Sequence, residues 1–175
     1  QRPGRYQERI SDLLGLQDVN KTNLSAFQKR GGKLLLMHGL ADGLVATEAT
    51  TEYYLRLIGD MGKKNVRSFV RYYTIPGLGH VFGSPSGSAP PATSGGFFAS
   101  WDPLPALEAW VEKGQQPAIP PTIDQNPATP GRTRPVCEWP SWPKYTGGDP
   151  NSASSFTCAT SSGAGHGDDD GDSED

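Results

Sequence analysis

Two apolar runs flanking one amphipathic stretch do most to limit how this chain can fold. Lys33-Leu34-Leu35-Leu36-Met37 follows Gly31-Gly32 and is continuously apolar after its lysine, the pattern of a strand covered on both faces in a parallel sheet. The stretch from Val66 to Ile75 is rich in β-branched and aromatic residues (Val66, Phe69, Val70, Tyr72, Tyr73, Ile75), and Pro76-Gly77 ends it, which reads as a second strand. Between the two, Tyr53, Tyr54, Leu57, Ile58 and Met61 recur at helical spacing, with Thr47 as the expected N-cap and Gly62 as the stop. Strand, helix and strand make a βαβ unit, whose strands are parallel and whose crossover is right-handed.

A second covering helix is expected from Asp102 to Val111. Asp102 stands at N-cap, Pro103 at the first helical position, Leu104, Leu107, Trp110 and Val111 supply apolar positions, and Gly114 closes it. A Gly/Ser/Pro-rich loop from Gly83 to Gly96 precedes it. Beyond Gln115 the character changes. Only 34% of the 175 residues are hydrophobic, with 22 Gly and 16 Pro, and the apolar ones concentrate between Leu24 and Val111, so the core must be small. In the Pro-rich part, Trp139, Trp142 and Tyr145 alternate with prolines, as in a strap laying aromatic faces on the domain.

Charge excludes some partners. The formal net charge of -3 is produced in part by the terminal cluster Asp168, Asp169, Asp170, Asp172, Glu174 and Asp175, so a basic nucleic-acid surface is not indicated. The cluster reads as solvated disorder, and it lacks the spaced ligand loop of a Ca2+-binding EF-hand. His166 lies in this Gly/Asp tail with no credible partner. No apolar run approaches the ~20 residues that span a bilayer. The chain starts at Gln1 rather than Met, without a leader pattern, and is expected to be truncated or processed. Asn20-Lys21-Thr22 and Asn23-Leu24-Ser25 are glycosylation sequons, usable at Asn20 and Asn23 if the protein is secreted. The two cysteines, Cys137 and Cys158, lie in the segment with least core. A disulfide between them would close a loop of roughly 20 residues and contribute about 3 kcal/mol; two buried free thiols are the alternative.

The chemistry gathers where the strands end. In open parallel sheets functional loops leave the carboxyl ends of the strands, so the loops carrying Asp42 and His80 open on one edge and the two residues can meet. An acid that holds an imidazole in one tautomer and stabilises the imidazolium is what a general-base histidine needs. Gly77-Leu78-Gly79 before His80 permits a tight turn. The competing readings are a turn-forming Asp and a surface His. His38, at the first strand end, is expected to make a structural hydrogen bond to the loop, with an oxyanion or substrate contact as the alternative. No Gly-x-Ser-x-Gly nucleophile elbow is present: Gly83-Ser84-Pro85-Ser86-Gly87 has the wrong spacing and a central Pro. Where the chain order is Ser, acid, His, an acid at position 42 places the serine upstream.

Leu24-Ser25-Ala26-Phe27, Gly31 through Asp42, Tyr53-Tyr54, Phe69 through His80, Leu107 through Gly114, Arg132 through Cys137, Tyr145-Thr146-Gly147 and Phe156-Thr157-Cys158 together resemble the C-terminal part of the tannase and feruloyl esterase family. The resemblance covers roughly residues 23 to 158. It implies an α/β-hydrolase with a Ser/Asp/His triad, usually secreted, that cleaves esters of phenolic acids. Asp42 would be the triad acid, His80 the base, and Cys137 and Cys158 a disulfide pair. Many members place a cysteine directly after the histidine, bonded to one beside the serine; Val81 occupies that position, so that tether cannot form. No cofactor is expected in this chain; a Ca2+-binding lid would lie upstream.

The expected organisation is an α/β fold. Residues 1–114 are the C-terminal portion of an α/β-hydrolase sheet with covering helices, 115–160 a Pro-rich strap closed by a disulfide, and 161–175 a disordered acidic tail. The expected function is that of the C-terminal segment of a secreted serine ester hydrolase, supplying Asp42 and His80 to a serine on an upstream segment and acting on a phenolic ester. The alternative is a non-catalytic fragment or degenerate homologue serving as a binding subunit. One βαβ unit alone exposes sheet edges that invite aggregation, so the chain without its upstream strands is expected to fold poorly.

Overall fold

The computed structural model describes residues 4–80 and 96–160. The first strand, β1 (Leu34–Gly39), and the second, β2 (Val70–Ile75), pair in parallel from Leu34 opposite Val70 to Gly39 opposite Ile75. The expected βαβ unit is therefore present. Its helix, α3 (Thr47–Met61), ends at Gly62, whose φ of 80° fits glycine. The strand β1 runs two residues further than its apolar run, which puts His38 and Gly39 on the strand itself. Its residues are only half-buried up to His38, because among the described residues β1 is paired on one side only.

The pleat sorts side chains onto two faces. Leu34, Leu36, Val70 and Tyr72 meet α3 through Tyr54 and Leu57, with Phe69 and Val66 completing that cluster. Leu35, Met37, Tyr73 and Ile75 face the other way, onto Leu78, Ala99, Trp101 and Val136. Leu57, Tyr72 and Ile75 are fully excluded from solvent, and burying each large apolar side chain stabilises by about 1.5–3 kcal/mol.

Several expectations are corrected in detail. Val66 does not begin the second strand. The positive φ at Gly62 turns the chain into a short helix, α4 (Lys63–Val66), and Val66 N–H bonds back to the Gly62 carbonyl at 2.9 Å. Thr47 is the first residue of α3 rather than its cap; Ala46 holds the cap position, and the Thr47 hydroxyl donates to the Gly39 carbonyl at 2.9 Å. The later helix, α5 (Leu104–Lys113), starts after Pro103, although Asp102 still accepts the Leu104 N–H at 3.0 Å. Trp110 is its buried residue; Leu104 and Val111 are exposed. Two helices carried no clear sequence signal, α1 (Gln7–Gln17), which lies on the surface, and α2 (Ser25–Lys29), whose Phe27 packs on Phe69.

The segment 115–160 is more regular than a strap. It contains β4 (Thr122–Asp124), β5 (Thr133–Arg134), β6 (Cys137–Glu138), β7 (Trp142–Tyr145) and β8 (Phe156–Ala159). With β3 (Ala99–Ser100), strands β4 and β5 form one small antiparallel sheet, and β7 pairs with β8 in another. Strand β6 adds antiparallel to β2, placing Cys137 opposite Thr74. Cys137 and Cys158 form a disulfide with Cα atoms 5.5 Å apart, which ties β8 to the main sheet. Trp139 does lay its ring on the core, 5.8 Å from Tyr54 and 6.2 Å from Tyr72, whereas Trp142 and Tyr145 remain exposed. The acidic tail, His166, Val81 and most of the Gly/Ser/Pro-rich loop lie outside the described residues.

Candidate active site

The loops that follow β1 and β2 are bound to each other before any side chain is considered. Leu40 N–H donates to the Ile75 carbonyl and Ala41 N–H to the Leu78 carbonyl, each at 3.0 Å. The approach requires glycine at position 39: a Cβ there would overlap the Leu78 carbonyl oxygen. Gly77, with φ of 75°, turns the second loop back on itself and lies against the Phe97 carbonyl, where a Cβ would again collide. These contacts carry Asp42 and His80 to one spot at the carboxyl edge of the sheet.

The Asp42 carboxylate is held on both oxygens. Oδ1 accepts the backbone N–H groups of Leu44 at 2.9 Å and Val45 at 3.0 Å. Oδ2 lies 3.0 Å from His80 Nδ1 and 3.3 Å from His38 Nε2. The acid is only 6% exposed and His80 is 44% exposed, so a buried carboxylate orients an imidazole that reaches solvent. The Val45 N–H holds the Asp42 carboxyl down to about 2, aided by Leu44 and His80 and opposed by burial. Asp42 is thus ionised throughout the neutral range and accepts the Nδ1–H of His80, which puts the basic lone pair of the neutral imidazole on Nε2. The lining of the site includes half-buried Met37 and buried Gly39, Leu78 and Gly79. Among the described residues, no group of three or more His, Cys, Asp or Glu is arranged to hold a metal ion.

His38 makes the structural bond to the loop that was expected of it: Nε2 lies 3.1 Å from the Val45 carbonyl. Its second contact, Nδ1 to Thr50 Oγ1 at 2.7 Å, had no signal in the sequence, because nothing marks Thr50 among the threonines of α3. Also unforeseen is a buried polar node behind the His80 loop. Asp124 accepts the Phe98 and Asn126 N–H groups, each at 2.9 Å, the Thr129 hydroxyl at 2.9 Å and the Arg132 guanidinium at 2.7 Å. It fastens the 96–98 segment, the one against which Gly77 turns. The sequon asparagines are both exposed; the side-chain oxygen of Asn20 accepts from Arg56, and that of Asn23 from the Ser25 N–H. No helix among the described residues is long and apolar enough to cross a membrane.

A parallel βαβ unit with a buried acid and an exposed histidine at successive strand ends defines an α/β protein of the α/β-hydrolase type. Comparison with known proteins narrows this class. The family model described as tannase and feruloyl esterase matches residues 2–159, and the chain belongs to that family. It is 37% identical over 159 residues to an uncharacterized esterase of Agrobacterium fabrum, covering 90% of this chain and 27% of that protein. It is 35% identical to a probable feruloyl esterase of Arthroderma benhamiae, covering 94% and 29% respectively. The crystal structure of feruloyl esterase B from Aspergillus oryzae superposes with a TM-score of 0.63 at 29% identity, over 80% of this chain and 29% of that one. The chain therefore spans less than a third of the length of these relatives.

Proposed function

We propose that this chain is the C-terminal segment of a secreted serine carboxylic ester hydrolase acting on phenolic-acid esters, with Asp42 as the acid and His80 as the base of its triad. The observation that carries the proposal is the 3.0 Å contact between His80 Nδ1 and an Asp42 carboxylate whose other oxygen is already fixed by two backbone N–H groups. In this reading the nucleophilic serine comes from an upstream segment. His80 Nε2 takes the serine proton as Oγ attacks the ester carbonyl, Asp42 stabilises the imidazolium, and the same proton then goes to the leaving alcohol. Water, deprotonated by the same histidine, hydrolyses the acyl-enzyme. The esterase names of the relatives support the reaction class, and the feruloyl esterases among them support the phenolic substrate. The disulfide supports folding in an oxidising, extracellular setting.

The test is turnover of hydroxycinnamate and gallate esters by the full-length protein and its variants. Asp42→Asn and His80→Ala are each expected to lower kcat roughly 10^3- to 10^4-fold or more, the scale seen when a triad member is removed. Near-native turnover by either variant, or an upstream sequence lacking a Gly-x-Ser-x-Gly elbow, refutes the proposal.

A further inference from the structure

We propose that His38 is a positioning residue of this site: a hydrogen-bond donor that locks the Asp42 loop, and through it the orientation of His80. The inference rests on the triad reading of Asp42 and His80.

Three observations carry it. The first is what surrounds the ring. His38 Nε2 lies 3.1 Å from the Val45 carbonyl and 3.3 Å from Asp42 Oδ2. Both neighbours are acceptors, so Nε2 must carry a proton in either charge state of the ring. Nδ1 then accepts the Thr50 hydroxyl proton, at 2.7 Å, when the imidazole is neutral. The acceptors around Nε2 therefore fix the tautomer, Thr50 occupies Nδ1, and Nε2–H is directed at the loop carbonyl with the carboxylate beside it.

The second is where the ring is anchored. His38 sits on β1, is 10% exposed, and connects the strand, the acid loop and α3. The loop needs such an anchor. Leu44 and Val45, whose N–H groups hold Asp42 Oδ1, are 71% and 43% exposed. They contribute little apolar burial, so polar bonds must set the loop conformation.

The third is the shared carboxylate oxygen. Asp42 Oδ2 lies 3.3 Å from His38 Nε2 and 3.0 Å from His80 Nδ1, and the two rings differ in exposure, His38 at 10% and His80 at 44%. The buried ring holds one side of the carboxylate while the other side stays turned to the ring that reaches solvent.

The experiment uses the full-length protein. Turnover is expressed per active site, counted with a serine-directed phosphonate, so that loss of folded protein does not register as loss of kcat. His38→Ala is expected to lower kcat per site roughly 10- to 100-fold, the scale of an ångström-level misplacement, with KM changed less than about threefold. His38→Gln keeps an N–H donor and is expected to recover most of the loss. The hydrogen-bonded Nδ1–H proton of His80, seen downfield by NMR, should broaden or move upfield in His38→Ala and return in His38→Gln. A kcat per site within about twofold of wild type in His38→Ala overturns the proposal, as does equal loss in the Ala and Gln variants with an unmoved His80 proton. Asp42→Asn separates the two readings. If it is inactive while His38→Ala is normal, only the positioning role fails; if it is fully active, the triad reading fails first.

Discussion

Replacing Asp124 by Asn should destabilise the protein by about 3–5 kcal/mol, the cost of breaking a buried ion pair. The side chain is fully buried and faces the guanidinium of Arg132, which is itself 16% exposed. Oδ1 accepts the Phe98 and Asn126 N–H groups, and an Asn can keep both bonds. Oδ2 accepts the Thr129 hydroxyl and the Arg132 Nε and Nη2 groups. An amide placed here turns an NH2 toward donors, so those bonds are lost and a buried cation faces another donor. With a urea m-value of about 2 kcal/mol/M, the unfolding midpoint should fall by roughly 1.5–2.5 M. The pH dependence gives a second check. Burial raises the Asp124 carboxyl, but the Phe98 and Asn126 N–H groups, Arg132 and Thr129 outweigh it and lower the value below 3.8. The contribution is then fully present above the unfolded value and disappears as pH falls through the folded one, so the variant's deficit should be constant near neutrality and shrink in acid. A midpoint shift under about 0.5 M at neutral pH refutes the reasoning. Because this node also fastens the segment behind Gly77, His80-dependent turnover should fall with it.

Gly39→Ala should separate the two loops, since the added methyl overlaps the Leu78 carbonyl; kcat is expected to drop at least 10^2-fold, and a crystal structure retaining the Asp42 to His80 contact would refute this. Reducing or deleting the Cys137–Cys158 bridge, which spans 21 residues, should cost about 3 kcal/mol of stability on loop-closure grounds, read as a lower thermal midpoint; an unchanged midpoint counts against it. Carboxyl-carbon NMR should find Asp42 titrating at about 2, below its ordinary 3.8. The stability it contributes is present above the ordinary value and lost as pH falls through about 2, and a midpoint near 4 would contradict the loop geometry.

The elements legible from sequence are those whose burial pattern is periodic or continuous over a full element. The apolar run ending at Met37 and the spacing of Tyr54, Leu57 and Met61 identify β1 and α3, because a two-sided strand and a one-sided helix leave different marks. Val66 misleads for a physical reason. It is β-branched and adjoins a true strand, but the backbone has already been turned by Gly62 and the residue is buried at the end of a short helix. The strands β3 to β8 are two to four residues long, too short to show a period, and they exist because of pairings with distant segments. Asp42 and His80 were legible because each closely follows a strand, and topology alone brings such positions together. The Asp124 node and the bond between His38 and Thr50 were not: the node matters through its hold on Phe98, 26 residues away, and Thr50 is 12 residues from His38, pairs that no local spacing marks.

Most contacts that bring Asp42 to His80 lie within one βαβ unit, with Gly77 backed from outside it by Phe97. The parallel register, the backbone bonds from Leu40 and Ala41, the glycine approach at Gly39 and the His38 to Thr50 contact all lie within residues 34–80. Serine placement is a different problem. In the proposed hydrolase it depends on strands outside these residues, and β1 has an unpaired side among the described residues from which the sheet would continue. The acid and base are therefore oriented largely by contacts near them in the chain, while in the proposed hydrolase alignment with the serine would depend on the rest of the sheet beyond β1. Substitutions in the first set should change the hydrogen bond between Asp42 and His80. Substitutions that perturb the β1 edge, a proline at Leu35 for example, should instead abolish turnover while leaving that hydrogen bond in place.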